Sequence, residues 1–150
     1  MPKILLIEDN KNNADIMKRV LVRNGHEVFH AAEGLVGLEI ATSEQVDIVL
    51  VDLGLPDVSG ATMVSLIKRL PNDIPTVVVT ASFNQADWRK VVNRGIIGYM
   101  TKPINTRTFA VEVEKFLAQA RQAARDNAES KAKEEQAQET ETQSKMSMVF

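Results

Sequence analysis

Val46-Asp47-Ile48-Val49-Leu50-Val51-Asp52-Leu53-Gly54-Leu55-Pro56-Asp57-Val58-Ser59-Gly60 holds a strand, its end and the entry to a helix in one stretch. The apolar run up to Val51 shows no alternation with polar residues. A strand of that kind is covered on both faces, as in a parallel sheet wrapped by helices. Asp52 stops the run. Leu55-Pro56-Asp57 through Gly60 then reads as a loop leading into a helix. Outward from this stretch the same grammar repeats. Runs rich in Ile, Val and Leu lie at 3–7, 27–31, 47–51, 76–80 and 96–100, and are taken as strands 1 to 5. Between them apolar residues recur at helical spacing. The first helix carries Ile16, Met17, Val20 and Leu21 and stops at Asn24-Gly25, a good helix C-terminus. The second carries Leu35, Leu38 and Ala41. The third carries Met63, Val64 and Ile67 and ends before Pro71. The fourth carries Trp88, Val91 and Val92 and ends at Gly95. The fifth starts after Thr106 and carries Phe109, Val113, Phe116 and Leu117. The fold class is α/β: a doubly wound five-stranded parallel sheet with five helices.

Composition sets the outer bounds. The chain has 150 residues, 44% hydrophobic and 25% charged, which is ordinary for a globular domain and excludes wholesale disorder. A net charge of −2 gives no electrostatic reason to expect nucleic-acid binding. Cysteine is absent, so disulfides, thiolate metal sites and thiol catalysis are excluded. No apolar run reaches the roughly 18 residues that span a bilayer. Ile4-Leu5-Leu6-Ile7 is too short for the apolar core of a signal peptide, and the expected location is cytoplasmic. Between Leu117 and Met146 there is no Ile, Leu, Val, Met, Phe, Trp or Tyr. The expected folding unit is therefore residues 1–120. Residues 121–150 form a polar tail, helical or disordered, that has nothing to bury. Met146, Met148, Val149 and Phe150 close it as a short apolar end, read as disordered rather than as a docking peptide. No effector domain is expected after residue 120, so direct binding to DNA is not the expected output.

In open α/β sheets the ligand crevice lies beyond the carboxyl ends of the strands, where strand order reverses. Strand 1 ends in Glu8-Asp9, strand 3 in Asp52, strand 4 in Thr80 and strand 5 in Lys102-Pro103. If strands 1 and 3 are neighbours, their ends lie about 5 Å apart and three carboxylates converge. At about 4 Å and an effective dielectric near 20, each like-charge pair costs on the order of 4 kcal/mol. Either the acids take up protons or a cation resides among them. Oxygen ligands with no His or Cys suit a hard ion, magnesium first. A cation, the Lys102 ammonium, the Thr80 hydroxyl and a facing carboxylate form a phosphoryl-transfer layout. Such a carboxylate can act as nucleophile and become an aspartyl phosphate. Each residue also has a plain role when taken alone. Glu8, Asp9 and Asn10 suit the start of the first helix; Asp52, Thr80 and Lys102 suit strand ends and surface. His26 and His30 flank strand 2, away from the acids.

With these residues in order, the sequence resembles the receiver domain of two-component response regulators. The resemblance rests on Ile4-Leu5-Leu6-Ile7-Glu8-Asp9-Asn10, Val51-Asp52-Leu53-Gly54-Leu55-Pro56-Asp57-Val58-Ser59-Gly60, Val77-Val78-Val79-Thr80-Ala81 and Gly98-Tyr99-Met100-Thr101-Lys102-Pro103. It implies the flavodoxin-like strand order 2-1-3-4-5. It implies that Asp52 accepts a phosphoryl group from a histidine kinase or phosphotransfer protein, with Thr80 and Lys102 binding phosphoryl oxygens. It implies Mg2+ held by Asp52, by Asp9 directly, by Glu8 through water and by the main-chain carbonyl of Gly54. Tyr99 would be the aromatic switch that follows Thr80, and Lys102–Pro103 a cis peptide. The protein would not be an enzyme with a separate substrate, but a phosphoacceptor that assists its own phosphorylation and dephosphorylation. The helix 4–strand 5–helix 5 face, with Trp88 either buried or exposed on it, would meet a downstream protein. Gly54 and Ser82 stand where the family tunes phosphoryl lifetime. Neither can position an attacking water or block one, so an intermediate rate of self-dephosphorylation is expected. Two rivals remain open. One is a scaffold of this fold that is never phosphorylated, for which the acids, Thr80 and Lys102 have no use. The other is a flavin- or nucleotide-binding enzyme, for which Glu8-Asp9-Asn10 stands where a glycine-rich phosphate loop belongs.

Overall fold

A computed structural model describes residues 1–81 and 85–149, apart from the side chains of residues 87–88 and 146–149. Ser82, the Trp88 side chain and the side chains of the apolar end from Met146 to Phe150 thus lie outside the described residues. The chain divides into two compact units, Met1–Leu117 and Ala118–Phe150.

In the first unit the order is β1 (Lys3–Ile7), α1 (Lys11–Arg23), β2 (Glu27–Ala31), α2 (Gly34–Ser43), β3 (Ile48–Val51), α3 (Gly60–Lys68), β4 (Thr76–Thr80), α4 (Gln85–Val91), a 3-10 turn (Val92–Arg94) and β5 (Gly98–Thr101), followed by α5 (Phe109–Val149). The strands form one parallel sheet in the order β2-β1-β3-β4-β5. Ile48–Val51 of β3 and Thr76–Thr80 of β4 are buried throughout, as the unbroken apolar runs require.

Two apolar layers sandwich the sheet. One joins Ile4, Leu6, Leu50 and Val79 to Met17 and Leu21 of α1 and to Phe109, Val113 and Leu117 of α5. The other joins Leu5, Ile7, Val49 and Val51 to Ala41 of α2 and to Met63, Val64 and Ile67 of α3. Alternate residues of β1 feed opposite layers, which follows from the period of two along a strand.

Local signals explain the helix ends. Asn10 caps α1 by accepting from the Asn13 amide at 3.0 Å, and Gly25 leaves it at φ 86°, a conformation cheap only for glycine. Ser59 caps α3 through the Thr62 amide at 3.1 Å. Gly95, also at φ 86°, closes the turn after α4.

Two expectations are corrected. Leu35, one of the apolar positions at helical spacing in α2, does not face the core but is 59% exposed. The buried positions are Gly34, Gly37 and Ala41, because α2 lies so close that a Cβ on Gly37 would come within 2.5 Å of Ile7 Cδ1. Small residues, not large ones, make that face. The last strand starts at Gly98 rather than at residue 96. Ile96 and Ile97 are apolar because they pack into the two opposite layers, not because both belong to the strand.

In the second unit α5 continues as helix, and every residue from 121 to 145 is exposed. Its surface carries pairs such as Gln122 Nε2 donating to Asp126 at 3.0 Å and Lys145 against Glu141 at 3.8 Å. Ala, Glu, Lys and Gln carry helix without burial. No helix among the described residues is long and apolar enough to cross a membrane.

Candidate functional site

The site grows from the register of β1 and β3. Ile7 pairs with Val51, so the residues just beyond them, Glu8 and Asp52, are the next to face one another. The ladder extends one rung further: the Asp52 amide donates to Ile7 O and the Glu8 amide to Ala31 O, both at 3.0 Å. Strand ends thus hold the two acids rigidly. Asp9 follows as the chain turns toward α1. One carboxylate oxygen from each of Glu8, Asp9 and Asp52 lies within 4.8 Å of the others. Glu8 and Asp52 are buried, at 1% and 8% exposure, while Asp9 is open to solvent.

Lys102 arrives from the other side. Its amide donates to Thr80 O at 2.9 Å, which keeps the chain beside β4, and the following bond to Pro103 is cis. The Lys102 ammonium donates to Glu8 Oε1 at 2.9 Å, to Glu8 Oε2 at 2.8 Å and to Asp52 Oδ2 at 2.8 Å. The other Asp52 oxygen, Oδ1, accepts from the Gly54 amide at 3.0 Å. Thr80 is buried at the end of β4.

Electrostatics follow from this crowding. Burial pushes the Glu8 carboxyl above its ordinary range; the Lys102 hydrogen bond opposes the rise and the Asp52 charge adds to it. Burial works to lower Lys102, but its hydrogen bonds to Asp52 and then Glu8 outweigh burial, so the ammonium is held above its usual range. Three acids, Glu8, Asp9 and Asp52, thus stand around one ammonium, which bonds Glu8 and Asp52, and with all three ionised two negative charges are left over. The donor set is oxygen only, and the surplus matches a divalent ion. The residues fit Mg2+, which Glu8, Asp9 and Asp52 would hold.

The structure brings Glu8, Asp9, Asp52 and Lys102 together, with Thr80 at the neighbouring strand end. Tyr99 lies on β5 in register with Val78 and is 47% exposed. Gly54 is tied to the site by its amide. His30 corrects an expectation: placed by the sequence away from the acids, it donates from Nε2 to the main-chain oxygen of Glu8 at 2.8 Å. The register of β1 with β2 pairs Leu6 with His30, which only the folded sheet reveals. Asp57 was legible as a loop residue alone, yet its carboxylate takes the Gly34 and Leu35 amides at the start of α2, at 2.8 and 3.0 Å. These bonds, Leu35 first, hold its carboxyl below the usual range. Glu33 at the N-cap position of α2 makes no side-chain cap, the one local hint that the cap comes from elsewhere.

A sheet of order 2-1-3-4-5 with acids at the first and third strand ends and a lysine at the fifth defines a receiver-type α/β domain. The sequence profile of the response regulator receiver domain matches residues 4–114, and the chain belongs to that family. The polar-differentiation response regulator DivK of Brucella anthropi is 30% identical over 126 residues, spanning 80% of this chain and 100% of the relative. DivK of Brucella abortus is 28% identical over 119 residues, 78% of this chain and 97% of the relative. Among solved structures, a CheY-like response regulator receiver domain protein of Methanospirillum hungatei superposes with a TM-score of 0.78 at 25% identity, covering 82% of this chain and 98% of that one. Chemotaxis protein CheY4 of Vibrio cholerae superposes at 0.74 and 22% identity, over 77% and 98% of the two chains, which shows the fold.

Proposed function

We propose that this protein is a single-domain response regulator whose Asp52 accepts a phosphoryl group from a phosphohistidine of a histidine kinase or phosphotransfer protein. The observation that carries the reading is the convergence of Glu8, Asp9 and Asp52 on one side and the Lys102 ammonium on the other. An Asp52 oxygen attacks phosphorus, the phosphorus–nitrogen bond of the donor breaks, and the histidine leaves. Glu8, Asp9, Asp52 and the carbonyl of Gly54 would hold Mg2+, which when bound would supply positive charge for the transferring phosphoryl group. Lys102 neutralises a further oxygen and Thr80 donates its hydroxyl to another. The protein acts as a phosphoacceptor that assists its own labelling and hydrolysis, not as an enzyme on a separate substrate. Its expected place is the cytoplasm.

Phosphorylation would then shift a pre-existing equilibrium. Thr80 moves toward the phosphoryl group, and Tyr99, now exposed, turns into the space it leaves. The surface that changes is the face of α4, β5 and α5, where Tyr99 of β5 is 47% exposed and a downstream protein would bind. Incubation with acetyl phosphate and Mg2+ should raise the intact mass by one phosphoryl group. Asp52→Asn and chelation should each abolish the gain. An unlabelled wild-type chain would sink the proposal and leave a scaffold that binds without phosphorylation.

A further inference from the structure

We infer that Asp57 couples the loop beside the phosphoacceptor to the first turn of α2, and so positions Gly54 for binding at Asp52. This rests on the phosphoacceptor reading above. The geometry is a tie between elements. Asp57 Oδ1 accepts from the Gly34 amide and Oδ2 from the Leu35 amide, supplying the cap that Glu33 does not. At its other end the same loop is held by Asp52, whose Oδ1 accepts from the Gly54 amide.

Close contacts leave the loop little slack between these ends. A Cβ on Gly60 would lie 2.3 Å from Leu53 Cα, and one on Gly34 would lie 3.0 Å from Met63 Sδ and 3.2 Å from Val58 Cβ. The Gly60 amide also donates to Leu53 O at 3.0 Å. The loop, the start of α3 and the start of α2 therefore press on one another. A metal ion or phosphoryl group that engages Asp52 alters the place of Gly54, and Asp57 carries the change to the Gly34 and Leu35 amides. By linkage the effect is reciprocal: what the cap contributes to loop order, occupancy at Asp52 returns to the cap. Leu35 and Val36, 59% and 42% exposed, bring that turn to the surface. It belongs to the layer of α2 and α3, across the sheet from α1 and α5.

Amide exchange at Gly34 and Leu35, read by NMR on the full chain, tests the coupling. Samples hold EDTA, Mg2+, or Mg2+ with acetyl phosphate, and intact mass is taken on each. In wild type these amides should exchange more slowly as Asp52 becomes occupied, on the order of five-fold. Asp57→Ala should remove that response and weaken Mg2+ binding on the order of five-fold, while Asp57→Asn, which keeps one acceptor oxygen, should restore part of both. Adding Glu33→Ser to Asp57→Ala gives α2 a cap of its own. It should recover stability but not Mg2+ affinity; recovery of affinity would reduce Asp57 to a capping residue and overturn the inference. A mass gain with unmoved amides overturns the coupling alone. No mass gain removes the phosphoacceptor reading, and this inference with it.

Discussion

At Lys102 one ammonium faces two buried carboxylates, so its removal leaves charge without a partner. Breaking a buried ion pair in this way costs about 3–5 kcal/mol. Lys102→Ala should lower the urea unfolding free energy in EDTA by an amount in that range. Mg2+ should recover part of the loss, since a divalent ion answers the same oxygens. A Lys102→Ala chain as stable as wild type in EDTA would mean the pair is not formed. Glu8 gives the pH dependence. Burial raises its folded value, so the native state keeps a proton that the unfolded chain has already lost. Stability from this group is full below the ordinary carboxyl value and is lost as pH rises through the raised one. As pH rises from the ordinary carboxyl value through the raised one, wild type should therefore lose stability relative to Glu8→Gln. Lys102 is also raised. Its stabilising share is full below the ordinary lysine value and disappears as alkaline pH passes through the higher folded one.

Two glycines test how the elements hold the site. At Gly60 an added Cβ meets main chain, Leu53 Cα at 2.3 Å and Asp52 O at 2.7 Å. Backbone cannot swing aside, so Gly60→Ala must displace the loop from α3. At Gly37 the obstacle is the buried Ile7 side chain, Cδ1 at 2.5 Å and Cγ1 at 2.8 Å. A side chain gives way more readily than backbone, and alanine returns about 1 kcal/mol of helix propensity. Calorimetry should show Gly60→Ala losing more stability than Gly37→Ala, by about 1–3 kcal/mol. Gly60→Ala should also weaken Mg2+ binding, because the displaced loop carries Gly54. Equal stabilities would mean that loop and α3 are not so closely applied. The same comparison shows why α2 was only partly legible. Its length and location follow from spacing. Its buried face does not, because Gly34, Gly37 and Ala41 carry no hydrophobic signature, and Leu35 carries one while facing out.

For the whole molecule, the apolar layers draw on residues up to Leu117, while residues 121–145 are exposed throughout. A chain ending at residue 121 should keep the urea midpoint and the Asp52-dependent mass gain of the full chain. A large fall in midpoint would show that the second unit stabilises the first. Much of this organisation is settled by sequence. Unbroken Ile, Val and Leu runs such as Val77-Val78-Val79 can be satisfied only where both faces are dry, and an acid, a hydroxyl or a lysine that closes such a run must sit at the sheet's rim. The sheet, its strand ends and the identity of Glu8, Asp9, Asp52, Thr80 and Lys102 follow from that. Tertiary structure alone decided which groups share a proton or a cap. Lys102 lies 94 positions from Glu8, Asp57 lies 23 from Gly34, and His30 lies 22 from Glu8. Such bonds depend on strand register and on how closely a glycine lets two backbones approach, and these are distances in space that no local periodicity encodes.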